Sequence, residues 1–163
     1  MAELTDERGN AANEEPADAS ELDTMLCFAV YGAALAFTRS YKPLLDPLGL
    51  TYPQYLVMRA LWSEEGQKVK TLADRLGLDS GTLSPLLKRL EQAGLVVRKR
   101  GREDERQVII TLTAAGLQMK DRLAGVKRAI TKAAGCSPTE LAALRDALVG
   151  LKNNLEGASE LVD

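Results

Sequence analysis

Apolar residues recur every three or four positions along most of the chain, the spacing that places them on one face of an α-helix. The first such series comprises Leu22, Leu26, Val30, Ala33, Phe37, Tyr41, Leu44, Leu45 and Leu48. Pro47 or Gly49 is expected to end this helix, since both residue types interrupt helical geometry. A second helix is predicted in "TYPQYLVMRALWSEEG", where Tyr55, Met58 and Trp62 share one face.

The hydrophobic pattern changes its period in the middle of the chain. "KTLADRLGL" predicts a short helix at about Thr71–Leu76, and "DSGTLSPLLKRLEQAG" predicts a second at about Ser80–Ala93. The β-branched runs "LVVRKR" and "QVIITL" then indicate a hairpin whose tip is the charged stretch "GREDER". Two short helices followed by a basic hairpin form the pattern of a winged helix-turn-helix, in which the second helix lies in the DNA major groove. The predicted fold class is therefore mainly α with a small β-hairpin wing.

Helical spacing returns at the C-terminal side. Thr113 is expected to cap a helix that runs to about Ala134. The last helix is expected to start at "SPTE", with Ser137 as N-cap, Pro138 at the first helical position and Glu140 completing a capping box. Its leucines alternate three and four residues apart: Leu141, Leu144, Leu148, Leu151 and Leu155. That spacing is typical of a coiled-coil seam, which favours dimerisation.

The length of 163 residues favours one domain preceded by a tail. We expect a tail at 1–21 and a winged helix-turn-helix domain at 22–156. Within the domain, the DNA-binding core is expected at about 66–113. Helices at about 22–48 and 114–156 are expected to interlock two copies of the chain as a homodimer.

Charge is distributed unevenly, although the net charge is only −2. Residues 1–21 hold seven acidic residues against one basic residue, a net charge of −6, and few large apolar residues. That composition predicts a disordered acidic tail. Residues 66–106 hold ten basic residues against six acidic residues, a net charge of +4. This local basic field is where an anionic partner would bind.

Composition also excludes several classes of function. The chain has no histidine, which excludes histidine-ligated zinc and Ser-His or Cys-His catalysis. No apolar run approaches the roughly 18 residues of a membrane span, and the N-terminus lacks the features of a signal peptide. Two cysteines are too few for a disulfide scaffold, so the default compartment is the reducing cytoplasm. No metal or other cofactor is expected.

Short hydroxyl side chains mark the start of the second short helix. Ser80, Thr82 and Ser84 would let that helix approach base edges and phosphates closely. Lys88 and Arg89 follow where phosphate contacts are expected. The partner predicted for this surface is double-stranded DNA, with a pseudo-palindromic operator if the protein is a dimer. A solvated helix beside a charged hairpin is the alternative interpretation.

The wing and Pro85 each leave a structural question open. Arg102 and Arg106 at the wing tip would suit a narrow minor groove, and Asp104 could hold Arg106 in an ion pair. Pro85 removes a backbone donor from the predicted second helix. Either Ser84 is the true N-cap, or the helix starts near Ser80 and is slightly distorted.

Each of the two cysteines has two interpretations. Cys27, in "TMLCFAVYG", is either a small packing residue or a thiol that the protein uses. Cys136 is either an incidental loop residue or a thiol activated by the helix that starts at Ser137, since the positive end of a helix dipole favours a thiolate.

Two stretches resemble a known family. "LADRLGLDSGTLSPLLKRLEQAGLVVRKRGREDERQVIITLTAAG" resembles the MarR family of winged-helix transcription regulators, including its D-x-R wing and the "LT-x-x-G" that follows. "LCFAVYGAALAFTRSYKPLLDPLGLTYPQYLVM" is similar to the OhrR branch, the repressors that sense organic hydroperoxides. The resemblance covers about residues 22–155.

The resemblance implies a role for each cysteine. Cys27 would be the peroxide-reactive thiol, supported by the hydroxyls of Tyr41 and Tyr52 across the dimer, with Tyr31 nearby. Cys136 would match the resolving cysteine of the two-cysteine type, which forms a disulfide with the partner subunit. The implied function is a repressor that leaves its operator when an organic hydroperoxide oxidises Cys27, so that peroxide-resistance genes are expressed.

Two other functions remain open at this point. One is a MarR-type repressor that binds a small aromatic ligand, with incidental cysteines. The other is a thiol peroxidase, because Thr24 and Cys27 give the Thr-x-x-Cys of peroxiredoxins. Ser20 stands where the peroxiredoxin motif has proline, and the surrounding strand pattern is missing. The protein is therefore not expected to be an enzyme.

Overall fold

A computed structural model describes residues 21–101 and 107–159 of the 163-residue chain. The predicted contacts of Arg102, Asp104 and Arg106, and the predicted disorder of the tail up to residue 20, lie outside the described residues. The chain divides into two compact units, Met1–Phe37 and Thr38–Asp163. Across the described ranges, no helix combines the length and apolar character needed to cross a bilayer.

Seven helices and three strands make up the described part of the chain. The helices are α1 Leu26–Leu45, α2 Tyr52–Ser63, α3 Val69–Leu76, α4 Ser80–Gln92, α5 Ala114–Arg122, α6 Val126–Ala133 and α7 Pro138–Ser159. The strands are β1 Gln67–Lys68, β2 Val96–Arg100 and β3 Val108–Leu112, paired antiparallel in the order β1-β3-β2. Short 3-10 segments, Glu21–Thr24 and Asp46–Leu48, flank α1. The predicted mainly α fold with a hairpin wing is confirmed, and β1 is an unpredicted addition.

The core of the second unit fixes the winged helix-turn-helix. Leu83, Leu87 and Leu90 of α4 are fully buried, and Leu86 is half-buried. They pack in one hydrophobic cluster with buried residues of α2, α3 and the sheet, among them Met58, Leu61, Leu72, Val96 and Ile110. Because the leucine face of α4 is buried there, its opposite face is held toward solvent.

The helix expected from Thr113 to Ala134 is two helices, so that prediction is wrong in part. Thr113 is the N-cap as predicted, since its hydroxyl accepts a hydrogen bond from the Gly116 N–H at 3.0 Å. The helix ends at Arg122, where Leu123 leaves helical geometry with φ −99° and ψ 2°. Helix α6 starts only after Gly125, a residue type with poor helix propensity.

Helix α5 and the wing approach each other closely at Gly116. A Cβ atom at this position would lie 2.1 Å from the carbonyl oxygen of Leu95, the residue before β2. The indole N–H of Trp62 donates to the Gly116 carbonyl at 2.9 Å, which ties α2 to the same point. Only a residue without a side chain allows this packing of helix against strand.

Helix α7 begins as predicted but buries none of the residues whose exposure is described. The backbone N–H of Ser137 donates to Glu140 Oε2 at 2.8 Å, and the Glu140 N–H donates to Ser137 Oγ at 3.3 Å. These two bonds are the predicted capping box. Along its length, however, Leu144, Leu148 and Leu155 remain exposed.

Candidate nucleic-acid interface and thiol sites

The turn between α3 and α4 is built by a glycine and an aspartate. Gly77 ends α3 in the left-handed region at φ 62°. Asp79 then caps α4: its carboxylate accepts from the Thr82 N–H and from the Thr82 hydroxyl, each at 2.8 Å. These bonds, the hydroxyl first, lower the pKa of Asp79. Of the two alternatives for Pro85, the helix therefore starts at Ser80, and Pro85 lies inside it.

All five polar residues predicted to face DNA on α4 are exposed. They are Ser80, Thr82, Ser84, Lys88 and Arg89. The Thr82 hydroxyl already donates its hydrogen to Asp79, so toward DNA it can only accept a hydrogen bond. A groove of about 670 Å³ runs along this face, lined by Ser80, Ser84, Lys88 and others. The surface can thus offer hydroxyls and cations together to an anionic backbone.

The sequence interpretation missed Arg98, which lies in β2 of the wing and whose side chain contacts α4. Its side chain lines the groove along α4 and also a second groove of about 480 Å³, beside Lys68 and Lys70. The guanidinium contacts Glu91 and the Ser84 carbonyl, both on α4. Nothing in the local sequence indicates these contacts, because they depend on how β2 packs against α4.

A helix-turn-helix with a basic hairpin beside it is the architecture of winged-helix DNA-binding proteins. The bracing helix α3, the helix α4 with its exposed hydroxyls and the β2–β3 hairpin lie in the predicted order. The basic residues that line the two grooves are Lys68, Lys70, Lys88 and Arg98, and Arg89 is exposed on α4. The fold and this surface define the class: a winged-helix protein.

Cys27 lies in the first turn of α1 and is exposed, so it is not part of the core of this chain. Tyr31 follows four residues later and is also exposed. In an α-helix, residues four apart are neighbours on one face. The first unit therefore places the thiol and one phenol on the same face of α1, and the supporting role of Tyr31 stays a prediction.

The second unit gathers three tyrosines. The ring of Tyr41 lies 4.5 Å from that of Tyr52 and 5.5 Å from that of Tyr55, measured between centroids. Burial, with smaller contributions from Tyr52 and Tyr55, raises the pKa of Tyr41 to about 12. Burial and then Tyr55 also raise the pKa of Tyr52. Both phenols are therefore protonated donors at neutral pH, while Tyr55 is a core residue.

Cys136 lies in the loop between α6 and α7 and is exposed. Its thiol donates to the Ala134 carbonyl at 3.2 Å. It lines an open cleft of about 570 Å³ together with Lys127, Arg128 and Lys132. Both cysteines are free thiols in this structure.

Comparison with known proteins narrows the class to a family. A profile described as "Transcriptional regulator SarA/Rot" matches residues 39–123. The HTH-type transcriptional regulator TtmR of Methylorubrum extorquens is 49% identical over 147 residues, covering 88% of this chain and 75% of TtmR. The organic hydroperoxide resistance transcriptional regulator of Bacillus subtilis is 44% identical over 142 residues, covering 87% of this chain and 97% of that regulator. The chain belongs to the SarA/Rot and MarR type of winged-helix transcriptional regulators.

Solved structures agree with the fold. AbfR of Staphylococcus epidermidis, reduced and bound to DNA, aligns with a TM-score of 0.66 and 39% identity, covering 80% of this chain and 92% of that chain. Disulfide-formed AbfR aligns with a TM-score of 0.58 and 41% identity, covering 77% of this chain and 88% of that chain. PcaV of Streptomyces coelicolor, in complex with its natural ligand, aligns with a TM-score of 0.74 and 27% identity, covering 83% of this chain and 97% of that chain. These similarities confirm the predicted winged helix.

Proposed function

We propose that this protein is a homodimeric DNA-binding repressor that leaves its operator when an organic hydroperoxide oxidises Cys27. The observation that carries the proposal is the exposed Cys27 thiol with Tyr31 one turn away, in a chain 44% identical to a hydroperoxide resistance regulator. Release from the operator would allow peroxide-resistance genes to be expressed. We place its action in the cytoplasm, where a reducing thiol pool returns the protein to its DNA-binding form.

In this proposal the second unit reads the operator. Helix α4 enters the major groove with Ser80, Thr82 and Ser84 toward the bases, and Lys88 and Arg89 bind phosphates. The wing tip, with Arg102, Asp104 and Arg106, reaches the adjacent minor groove. The likeness to a DNA-bound AbfR supports this mode of binding.

The apolar surfaces of α1 and α7 support the dimer. Leu26 and Phe28 of α1, and Leu144, Leu148 and Leu155 of α7, are exposed in the single chain. A second copy would bury such helices, because exposed apolar side chains gain free energy when water is excluded from them. Two-fold symmetry then requires a pseudo-palindromic operator whose half-sites lie about one helical turn apart.

The proposed switch is two balanced reactions. The Cys27 thiolate attacks the terminal oxygen of the hydroperoxide, the O–O bond breaks, and the alkoxide leaves and takes up a proton as the alcohol; the product is a sulfenic acid. The Cys136 thiol of the partner subunit then condenses with the sulfenic acid, giving an intersubunit disulfide and water. Tyr31, Tyr41 and Tyr52 supply hydroxyl donors that stabilise the thiolate. The disulfide needs the two Cα atoms within about 7 Å, so oxidation would draw the helices into a new arrangement.

The test is an operator-binding assay with and without cumene hydroperoxide on the parent protein, Cys27→Ser and Cys136→Ser. The parent should leave the DNA and run as a covalent dimer on a non-reducing gel. Cys27→Ser should stay bound, and Cys136→Ser should oxidise without forming the covalent dimer. Release of Cys27→Ser from DNA by peroxide would refute the sensing role of this thiol.

Release by a small aromatic ligand is the second candidate function, and the likeness to PcaV, solved with its natural ligand, favours a ligand-binding regulator. In that case a small aromatic ligand would release the DNA from Cys27→Ser and from the parent protein alike. Continuous consumption of peroxide with excess thiol would instead revive the peroxidase hypothesis, whereas a single stoichiometric oxidation supports the repressor.

A further inference from the structure

The backbone and the side chain of Arg98 both contact the carboxylate of Glu91 on α4. It lies in β2, paired in register with Ile110 of β3. Its backbone N–H donates to Glu91 Oε1 at 3.3 Å, and its Nε lies 3.2 Å from Glu91 Oε2. Both oxygens of Glu91 are therefore taken up by one residue of the wing.

The same guanidinium reaches a second point on α4. Its Nη2 donates to the Ser84 carbonyl oxygen at 3.2 Å. Ser84 and Glu91 are seven residues apart, which is about two turns of helix. The planar side chain thus contacts α4 at both ends of a two-turn segment, while its backbone is part of the sheet. Arginine suits this geometry because its donors are fixed in one plane.

The strand order β1-β3-β2 makes β2 an edge strand. Within residues 21–101 and 107–159, no further strand pairs with β2 on this side. The wing and α4 must engage neighbouring grooves of one duplex, and a wing free to swing would have to be ordered during binding at a cost in affinity.

We propose that Arg98, clamped by Glu91, is a positioning residue that sets the wing against α4 before DNA arrives. This inference rests on the proposed DNA binding and adds a residue pair to it. Preorganisation by the pair raises operator affinity, although Glu91 itself is an acid on a surface that binds an anion.

The negative charge of Glu91 makes it possible to distinguish a positioning role of Arg98 from direct contact with DNA. Arg98 also lines both grooves, so it could bind a phosphate itself. If Arg98 only supplied charge, Glu91→Gln would tighten DNA binding, because it removes a negative charge and frees the guanidinium. If Arg98 positions the wing, the same substitution weakens binding.

The experiment uses a duplex that the parent protein selects from a randomised library. Dissociation constants are measured for the parent, Glu91→Gln, Arg98→Gln and the double variant over a range of salt concentrations. We expect each single variant to bind about tenfold more weakly, and the double variant to bind no worse than either, because both changes release the same clamp. The salt dependence of Glu91→Gln should match that of the parent.

Glu156→Gln is the matched control. It removes the same charge from an ion pair inside α7, where Lys152 Nζ lies 3.1 Å from Glu156 Oε1, and should change affinity by less than about twofold. Equal or tighter binding by Glu91→Gln, or additive losses in the double variant, would overturn the proposal.

A second measurement needs no DNA. ¹⁵N relaxation of Val96–Arg100 should show a more mobile strand in Glu91→Gln than in the parent protein, and equal mobility would also count against Arg98 as the clamp. If the parent selected no duplex, the proposed DNA binding would fail, while this relaxation measurement would still decide whether the clamp exists.

Discussion

Helices α4 and α7 carry the same sequence pattern, but most of the leucines are buried in α4 and exposed in α7. Both place leucines three or four residues apart. In α4, Leu83, Leu87 and Leu90 are 0% exposed, whereas in α7, Leu144 is 53% exposed and Leu155 is 61% exposed. The pattern predicts that a helix has an apolar face, but it does not say which surface will cover that face.

The difference follows from what surrounds each helix. Leucines of α4 meet α2, α3 and the sheet of the same chain. No residue of α7 belongs to that cluster, although α7 is the longest helix in the described part of the chain, with 22 residues. We infer that α4 is stabilised by folding and α7 by association, and the predictions below test that distinction.

The largest effect is expected in the core. Leu87→Ala should lower the free energy of unfolding by about 2–5 kcal/mol, because it leaves a cavity among buried side chains. Urea unfolding followed by circular dichroism measures this. Leu117→Ala, on α5 at a side chain that is 50% exposed, is the control and should change stability by less than about 0.5 kcal/mol. Similar losses in the two variants would contradict the assigned core.

The next effect concerns assembly. Leu148→Lys should convert a dimer into monomers in sedimentation equilibrium at micromolar concentration, because it places a charge in the proposed seam. Asn153→Lys adds the same charge to α7 away from the leucine positions and should leave the dimer intact. The helical circular dichroism of both variants should match that of the parent. A dimeric Leu148→Lys variant would show that α7 is not the seam.

The smallest effect on stability is expected from the capping carboxylates at the N-termini of the two helices. The pKa of Asp79 at the start of α4 and that of Glu140 at the start of α7 are both lowered by hydrogen bonds. A lowered folded-state pKa adds stability above the ordinary value, which is 3.8 for Asp79, and this stability is lost as the pH falls through the folded value. Asp79→Asn should therefore be less stable than the parent at neutral pH, and the gap should close in acid.

Urea unfolding at about pH 7 and about pH 3 checks this, with Glu140→Gln as the equivalent change in α7. Both variants should behave alike, because the caps are local and do not depend on what covers the helices. A gap that stayed constant with pH would mean that the carboxylate charge does not strengthen the cap.

Local features of the fold could be predicted from the sequence. The N-cap at Thr113, the capping box of Ser137 and Glu140, and the hairpin strands were all confirmed, because each depends on residues close together in the chain. The two-residue strand β1 was missed, since two residues show no periodicity. The break at Leu123–Gly125 was missed because one glycine does not outweigh the apolar spacing on either side.

The site was less predictable because it depends on packing. Exposure of the polar residues on α4 followed from the buried leucines. Tyr41 and Tyr52 lie ring to ring, and their role beside Cys27 of the partner subunit stays a prediction. Arg98 was overlooked, since its contacts join strand to helix. The roles of Cys27 and Cys136 remain predictions, as do those of Arg102, Asp104 and Arg106.

The contact at Gly116 has a consequence for how this protein can change over generations. Glycines with positive φ, such as Gly77, can be exchanged for asparagine at a modest cost. At Gly116 even a methyl group would meet the Leu95 carbonyl and force α5 away from the wing. A saturation library selected for operator binding should therefore recover glycine alone at position 116. The wing can vary its DNA preference through its surface residues, but its contact with α5 at Gly116 requires that this position stay glycine.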